Sequence, residues 1–143
     1  MPDETPARTA DELTTVIAQL TRRLRAASVQ EELTPSQTSV VSRLSREGPA
    51  TTAALARGEL VRPQSMRMTL AALEERGLVD RAPDPTDGRQ VVFSLTEAGV
   101  RLQATSRRIR RGWLADAIEA ELSPAEQHAL AGIVPLLQRL VAL

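Results

Sequence analysis

Apolar positions in this chain recur every three or four residues over most of its length, the period of a helix with one buried face, and give way to strand-like segments only once. Leu13, Val16, Ile17, Leu20 and Leu24 form a first stripe, opened by Thr9 and Glu12 at capping-box spacing. A second stripe follows Thr34, Pro35 and Gln37: a cap, a residue pre-shaped for the first helical position and a side chain able to reach back. It would bury Val40, Val41 and Leu44 and end at Gly48 and Pro49. Thr51 or Thr52 caps a short third helix carrying Ala53, Leu55 and Ala56 that stops near Gly58. Beyond a tight connector, Pro63 opens a fourth helix with Met66, Leu70 and Leu73 inward, and Gly77 is its expected left-handed terminator.

The switch to strands comes next. Leu78 to Ala82 reads as a strand, Pro83 to Gly88 as a polar turn, and Val91 to Leu95 as the returning strand. Thr96 then caps a long fifth helix, with Val100 and Leu102 on its early face and Ile109, Trp113, Leu114, Ala117 and Ile118 on its later one. Ser123, Pro124 and Glu126 open a last helix with Leu130, Ile133, Val134, Leu137, Leu140 and Val141, in which Pro135 is predicted to kink or interrupt the pattern. The third and fourth helices and their short connection have helix-turn-helix spacing. The first, fifth and sixth hold more apolar residues than one small domain can bury, which predicts a homodimer built from the chain ends.

Composition narrows the function. At 143 residues the chain is one domain's worth, and with Phe93 and Trp113 its only aromatics the core must be aliphatic, which suits helices. Formal net charge is zero, which argues against coating nucleic acid by bulk charge but leaves site-specific binding open. All 18 basic residues are arginine, the better residue for bidentate and phosphate contacts. Without cysteine there is no disulfide, thiol redox chemistry or cysteine metal site, and a single histidine, His128, predicts no metal and no cofactor. No stretch approaches the ~18 consecutive apolar residues of a membrane span, so a cytoplasmic protein without membrane contact is expected. No carboxylate pair, nucleophile–base pair or phosphate-binding glycine loop stands at recognisable spacing, so an enzyme is not predicted.

On the outer side of the fourth helix, Gln64, Ser65, Arg67 and Met68 offer an amide, a hydroxyl, a guanidinium and a flexible apolar chain, groups that can meet base edges and phosphates. Of these Met68 is the weakest candidate, since a methionine at helical spacing is more often core than contact. The run Val61 to Gly99, especially Arg62 to Met66, Leu73 to Arg81, Asp87 to Arg89 and Ser94 to Gly99, resembles the MarR family of winged helix-turn-helix transcription regulators. Asp87, Arg89, Leu95 and Thr96 match its wing signature, and the resemblance covers nearly the whole chain.

The resemblance implies a mainly α fold with a small β-hairpin wing: a winged helix-turn-helix region at 34–96, flanked by dimerisation helices at 9–33 and 97–143. It implies a homodimeric regulator, expected to repress, on a pseudo-palindromic double-stranded operator with half-site centres ~34 Å apart. Gln64, Ser65, Arg67 and Met68 would then face bases or phosphates, with Arg62 and Thr69 at the edge. Arg89 would enter the minor groove at the wing tip, and Asp87 would hold either Arg89 or the tip backbone. A small aromatic or amphipathic effector is also implied, and Trp113 is either ordinary dimer core or the one aromatic wall of its pocket. A dimeric ligand- or protein-binding module without specific DNA binding is the alternative. Arg76 and Arg81 are expected to pair with Glu74 or Asp80. Arg107 to Arg111 is expected to be a solvated face, with Asp11 and Glu12 of a partner as the other possibility.

Overall fold

The structure, a computed structural model, describes residues 5–28 and 33–143. Six helices and three short strands follow in the order α1 (Thr5–Ala27), α2 (Pro35–Glu47), β1 (Ala50–Thr51), α3 (Thr52–Glu59), α4 (Pro63–Glu75), β2 (Val79–Pro83), β3 (Val91–Leu95), α5 (Glu97–Glu121) and α6 (Pro124–Val141). Contacts group the chain into two compact units, Gln30–Arg107, and Met1–Val29 with Arg108–Leu143.

Local chemistry sets most boundaries. Thr34 caps α2 by accepting from the Gln37 N–H at 3.2 Å, while Gln37 Oε1 accepts from the Thr34 N–H at 3.1 Å. Ser123 and Glu126 do the same for α6, and Thr51 caps α3 through the Ala54 N–H at 3.1 Å. After α4, Gly77 takes a left-handed φ of +71° and the Leu78 N–H reaches back to the Leu73 carbonyl at 3.0 Å. That bond spends Leu78 on closing the helix, so β2 runs Val79–Pro83, one residue later than the alternation suggests.

In the Gln30–Arg107 unit the core is Val40, Val41, Leu44, Leu55, Ala56, Met66, Leu70, Leu73, Leu78, Val79 and Phe93. The sheet has three antiparallel strands in the order β1-β3-β2, so the hairpin gains a strand that the hydrophobic pattern does not show. Two residues are too few for a period, yet Ala50 and Thr51 pair with Phe93 and Val92 and anchor the returning strand beside α3.

The other unit contrasts sharply. Among the described residues, α1 and α6 contain no buried side chain. Val16, Ile17 and Leu20 on α1, and Ile133, Val134, Leu136 and Leu140 on α6, are exposed.

Three local expectations are corrected. Thr9 does not cap α1, which already runs from Thr5; Glu12 instead accepts from Arg8 at 2.9 Å one turn earlier. Val100 is exposed, because the close approach of Gly99 to Leu78 turns a small and polar face inward, and Gln103 and Ser106 follow Gly99 at helical spacing as the buried residues of α5. Pro135 does not interrupt α6; Ala131 and Pro135 are both exposed, so water can satisfy the carbonyl that loses its N–H partner. α3 stops beside Gly58 as expected, ending at Glu59, and the residue that closes it in a left-handed conformation is Leu60, at φ 56° and 92% exposed.

Two predictions follow from these backbone positions. A Cβ on Gly99 would lie 2.2 Å from the Leu78 carbonyl oxygen, a backbone atom held at the helix–strand junction, so Gly99→Ala should cost about 1–3 kcal/mol in urea unfolding. Leu60→Gly should raise stability by about 0.5–1 kcal/mol, the left-handed cost removed less glycine's larger entropy loss. An unchanged or lower unfolding midpoint would show that Leu60 is not strained.

Candidate nucleic-acid interface

α4 is placed by its inner face. Met66, Leu70 and Leu73 are each at most 2% exposed, and this fixes the opposite side, with Gln64, Ser65, Arg67 and Met68, as solvent-facing. Met68 is 67% exposed, which excludes the core position and places it on the solvent-facing surface of α4. Thr69 is half-buried and its hydroxyl donates to the Ser65 carbonyl at 3.1 Å, an edge position. Arg67 donates to Gln64 Oε1 at 2.8 Å, so these two side chains are aligned before any ligand arrives.

The start of α4 differs from the other capped helices. Arg62 occupies the cap in an extended conformation and makes no side-chain capping bond, while Pro63 follows at the first helical position. First-turn N–H groups are thus left toward solvent, where an anion can meet them together with the positive end of the helix dipole.

The turn that aims α4 is held by a cluster that linear reasoning missed. Arg43 on α2 donates to Glu59 at 2.6 Å, to Glu47 at 3.0 Å and to the Gly58 carbonyl at 2.9 Å, and Ser39 donates to the second Glu59 oxygen. Gly58 makes room: a Cβ there would come within 2.8 Å of the Arg43 guanidinium. Arg43 and Glu59 side chains are 22% and 16% exposed, so the pair is less screened than a surface bridge. Arg43 and Glu47 at one-turn spacing are visible in the sequence, but nothing there shows that Glu59 joins them.

The wing is ordered by its acids. Asp84 Oδ1 accepts from both the N–H and the hydroxyl of Thr86 at 2.9 Å, and those donors hold its carboxyl below the usual range. Asp87 Oδ1 accepts from the backbone N–H of Arg89 at 3.1 Å, so of its two expected roles the hold on the tip backbone is the one seen. The Arg89 side chain projects from the tip, exposed. At the wing base, Arg81 makes a two-pronged pair with Glu74, at 2.7 and 2.8 Å, and its guanidinium lies 5.3 Å from the Phe93 ring centroid. This realises the expected Arg81–Glu74 pair. Between wing and helix, Thr52, Arg67, Ala71, Arg81, Val91 and Phe93 line a cleft of about 310 Å³.

Within this unit, then, Arg62, Gln64, Ser65, Arg67, Met68 and Thr69 cluster on the first turns of α4, and Asp87 and Arg89 lie at the wing tip. Trp113 belongs to the other unit, half-buried on α5. No group of histidine, cysteine, aspartate or glutamate among the described residues could hold a metal, and no described helix is long and apolar enough to cross a membrane.

A capped helix, a tight turn, a second helix exposing polar and basic groups, and a hairpin define a winged helix-turn-helix protein. The profile of the MarR family matches residues 33–91. An HTH-type transcriptional regulator of Mycobacterium bovis, itself uncharacterised, is 40% identical over 138 residues, 96% of each chain. The HTH-type transcriptional repressor NicR of Pseudomonas putida is 30% identical over 104 residues, 70% of this chain and 66% of its own. A Pseudomonas aeruginosa crystal structure described as that of a transcriptional regulator superposes with a TM-score of 0.88 at 32% identity, covering 99% of each chain. The chain belongs to the MarR family and is a DNA-binding transcription regulator.

The Glu59 cluster predicts a pH dependence. Burial raises the Glu59 pKa, but the Ser39 hydrogen bond and the Arg43 bond and charge together outweigh it, leaving the group below its ordinary value. A lowered carboxylate stabilises the fold above its unfolded pKa, and that contribution fades as pH falls through the folded value. Glu59→Gln should therefore melt below wild type near neutral pH, with the gap closing as the pH falls below the ordinary glutamate range. A gap that stays constant through that fall would show that Glu59 ionisation does not stabilise the helix pair.

Proposed function

We propose that the chain acts as a homodimeric repressor on a pseudo-palindromic operator, each α4 entering a major groove and each Arg89 probing the adjacent minor groove. The observation that carries this reading is the α4 surface. Gln64, Ser65, Arg67 and Met68 are all exposed on a helix whose other side is locked into the core, and none of them is needed to build that core. The uncapped start of α4 and the exposed Arg89 add places for phosphate and groove contact.

Dimerisation is supported by where burial fails. Every buried apolar side chain among the described residues lies between Val40 and Phe93, while α1 and α6 leave their apolar stripes open. A second copy can cover such faces by symmetry and set the two α4 helices about one DNA turn apart. Repression as the sense of regulation is supported by the name of the NicR relative. Release by a small aromatic or amphipathic ligand rests on the family resemblance, with Trp113 as the candidate wall of its pocket. Membership of the family supports a cytoplasmic protein.

The test is footprinting on the DNA upstream of the gene, where two protected half-sites are expected. Arg89→Ala should weaken operator binding about tenfold, flatten the dependence of log affinity on log salt, and leave thermal stability unchanged. Wild-type affinity in Arg89→Ala would remove the wing from the interface. Affinity without any salt slope would favour a binding module that does not neutralise phosphates.

A further inference from the structure

The α4 surface narrows further, to the kind of base it accepts. This step rests on the DNA-binding reading above. With Met66, Leu70 and Leu73 inward and about 100° of turn per residue, Gln64, Met68 and Ala71 lie opposite the core, with Arg67 and Ser65 to either side. All five are exposed, so the central line of the presented face is an amide, a thioether chain and a methyl group, flanked by a guanidinium.

The Arg67–Gln64 bond decides what the amide can offer. A guanidinium only donates, so Gln64 turns its Oε1 toward Arg67, as the 2.8 Å contact shows; that bond engages one of the two Oε1 lone pairs and uses neither of the amide N–H groups. Bidentate recognition of adenine needs one acceptor and one donor from a glutamine. Held this way, Gln64 has half of its acceptor capacity committed to Arg67. Gln64 and Arg67 together form a donor-rich pair, which favours the two acceptors of guanine, N7 and O6, or the O4 of thymine, over the amino groups of adenine and cytosine.

Met68 adds a second criterion. It stands one turn beyond Gln64 at the centre of the presented face, 67% exposed, and has no hydrogen-bonding contribution to make to a base edge comparable to its neighbours. The one apolar group on the major-groove edges is the 5-methyl of thymine. We propose that α4 reads keto bases on one strand: a guanine held by the Gln64–Arg67 donor pair, beside a thymine whose 5-methyl packs against Met68.

The experiment selects binding sites for the full chain from random duplex DNA. It then measures affinity for the selected duplex with each thymine replaced in turn by deoxyuridine, which removes only the methyl, and each guanine by 7-deazaguanine, which removes only N7. One thymine per half-site should respond, losing about fourfold for each methyl removed. That response should vanish in Met68→Ala and persist in Met68→Leu. One guanine per half-site should lose about tenfold, and this loss should shrink in Arg67→Ala. Circular dichroism is expected to show wild-type helix content for all three variants, since neither position is buried.

A tightly bound operator indifferent to every deoxyuridine overturns the methyl contact, and one that requires adenine at the position lost in Gln64→Ala overturns the donor pair. Both results would leave the DNA-binding reading standing. Failure to select any sequence overturns that reading and this inference with it.

Discussion

The winged domain depends on one close approach, where the first turn of α5 meets the chain leaving α4. The Thr96 hydroxyl donates to the Gly77 carbonyl at 2.6 Å, and the Thr96 N–H donates to the Leu78 carbonyl at 3.0 Å. The same hydroxyl accepts from the Gly99 N–H at 3.1 Å, capping the helix it begins. Gly99 then passes so near Leu78 that no side chain fits between them. The end of the recognition helix, the start of the outgoing strand, the end of the returning strand and the start of α5 are tied at this point. The short Leu95-Thr96-x-x-Gly99 run that carries much of the family resemblance is the chemistry of this junction: one hydroxyl serving two backbone groups and one residue small enough to permit it.

That junction frees the rest of α4 for its task. Because the helix is fixed by its inner face, by the Gly77 turn behind it and by the Arg43–Glu59 cluster before it, its outer residues have no structural role in the domain. Arginines divide along the same line. Arg43 and Arg81 are committed to Glu59 and Glu74, the second with the Phe93 ring beneath it, and both act as positioning groups. Arg62, Arg67 and Arg89 make no ion pair among the described residues and face outward. If the outer set meets DNA as proposed, substitutions there change which DNA is bound at little cost to the fold, whereas changes in the inner set would move the helix itself.

What the sequence made legible was what is local. The Thr34–Gln37 and Ser123–Glu126 caps, Pro63, Gly77 and the Val91–Leu95 strand each declare themselves within a few residues, and each forms. The candidate contact residues on α4 were legible for the same reason, since a helical period that buries Met66, Leu70 and Leu73 necessarily exposes their neighbours. Features set by partners distant in sequence were not. β1 is a strand only because Val92 and Phe93 lie alongside it, Glu59 matters only because Arg43 reaches it, and Val100 is outside only because Gly99 must be inside. Leu60 was missed for a different reason: the expected signal for a left-handed residue is glycine, and the nearby Gly58 is instead used to admit Arg43.

Zero net charge was the best argument for a module that does not bind DNA, and the placement of the charges answers it. A sum over the chain counts Glu47, Glu59 and Glu74 against the arginines, yet these acids are already paired with Arg43 and Arg81 of the scaffold. Asp84 and Asp87 are likewise occupied by wing backbone N–H groups. Asp84 and Asp87 thus each have one carboxylate oxygen engaged by wing donors, while Arg67 and Arg89 expose N–H donors to solvent. Such a surface gains little from bulk attraction to DNA and much from correctly placed phosphates and bases. On the proposed reading its discrimination would rest on geometry: the aim of α4, the reach of Arg89, and the spacing that a second copy would impose through the terminal helices.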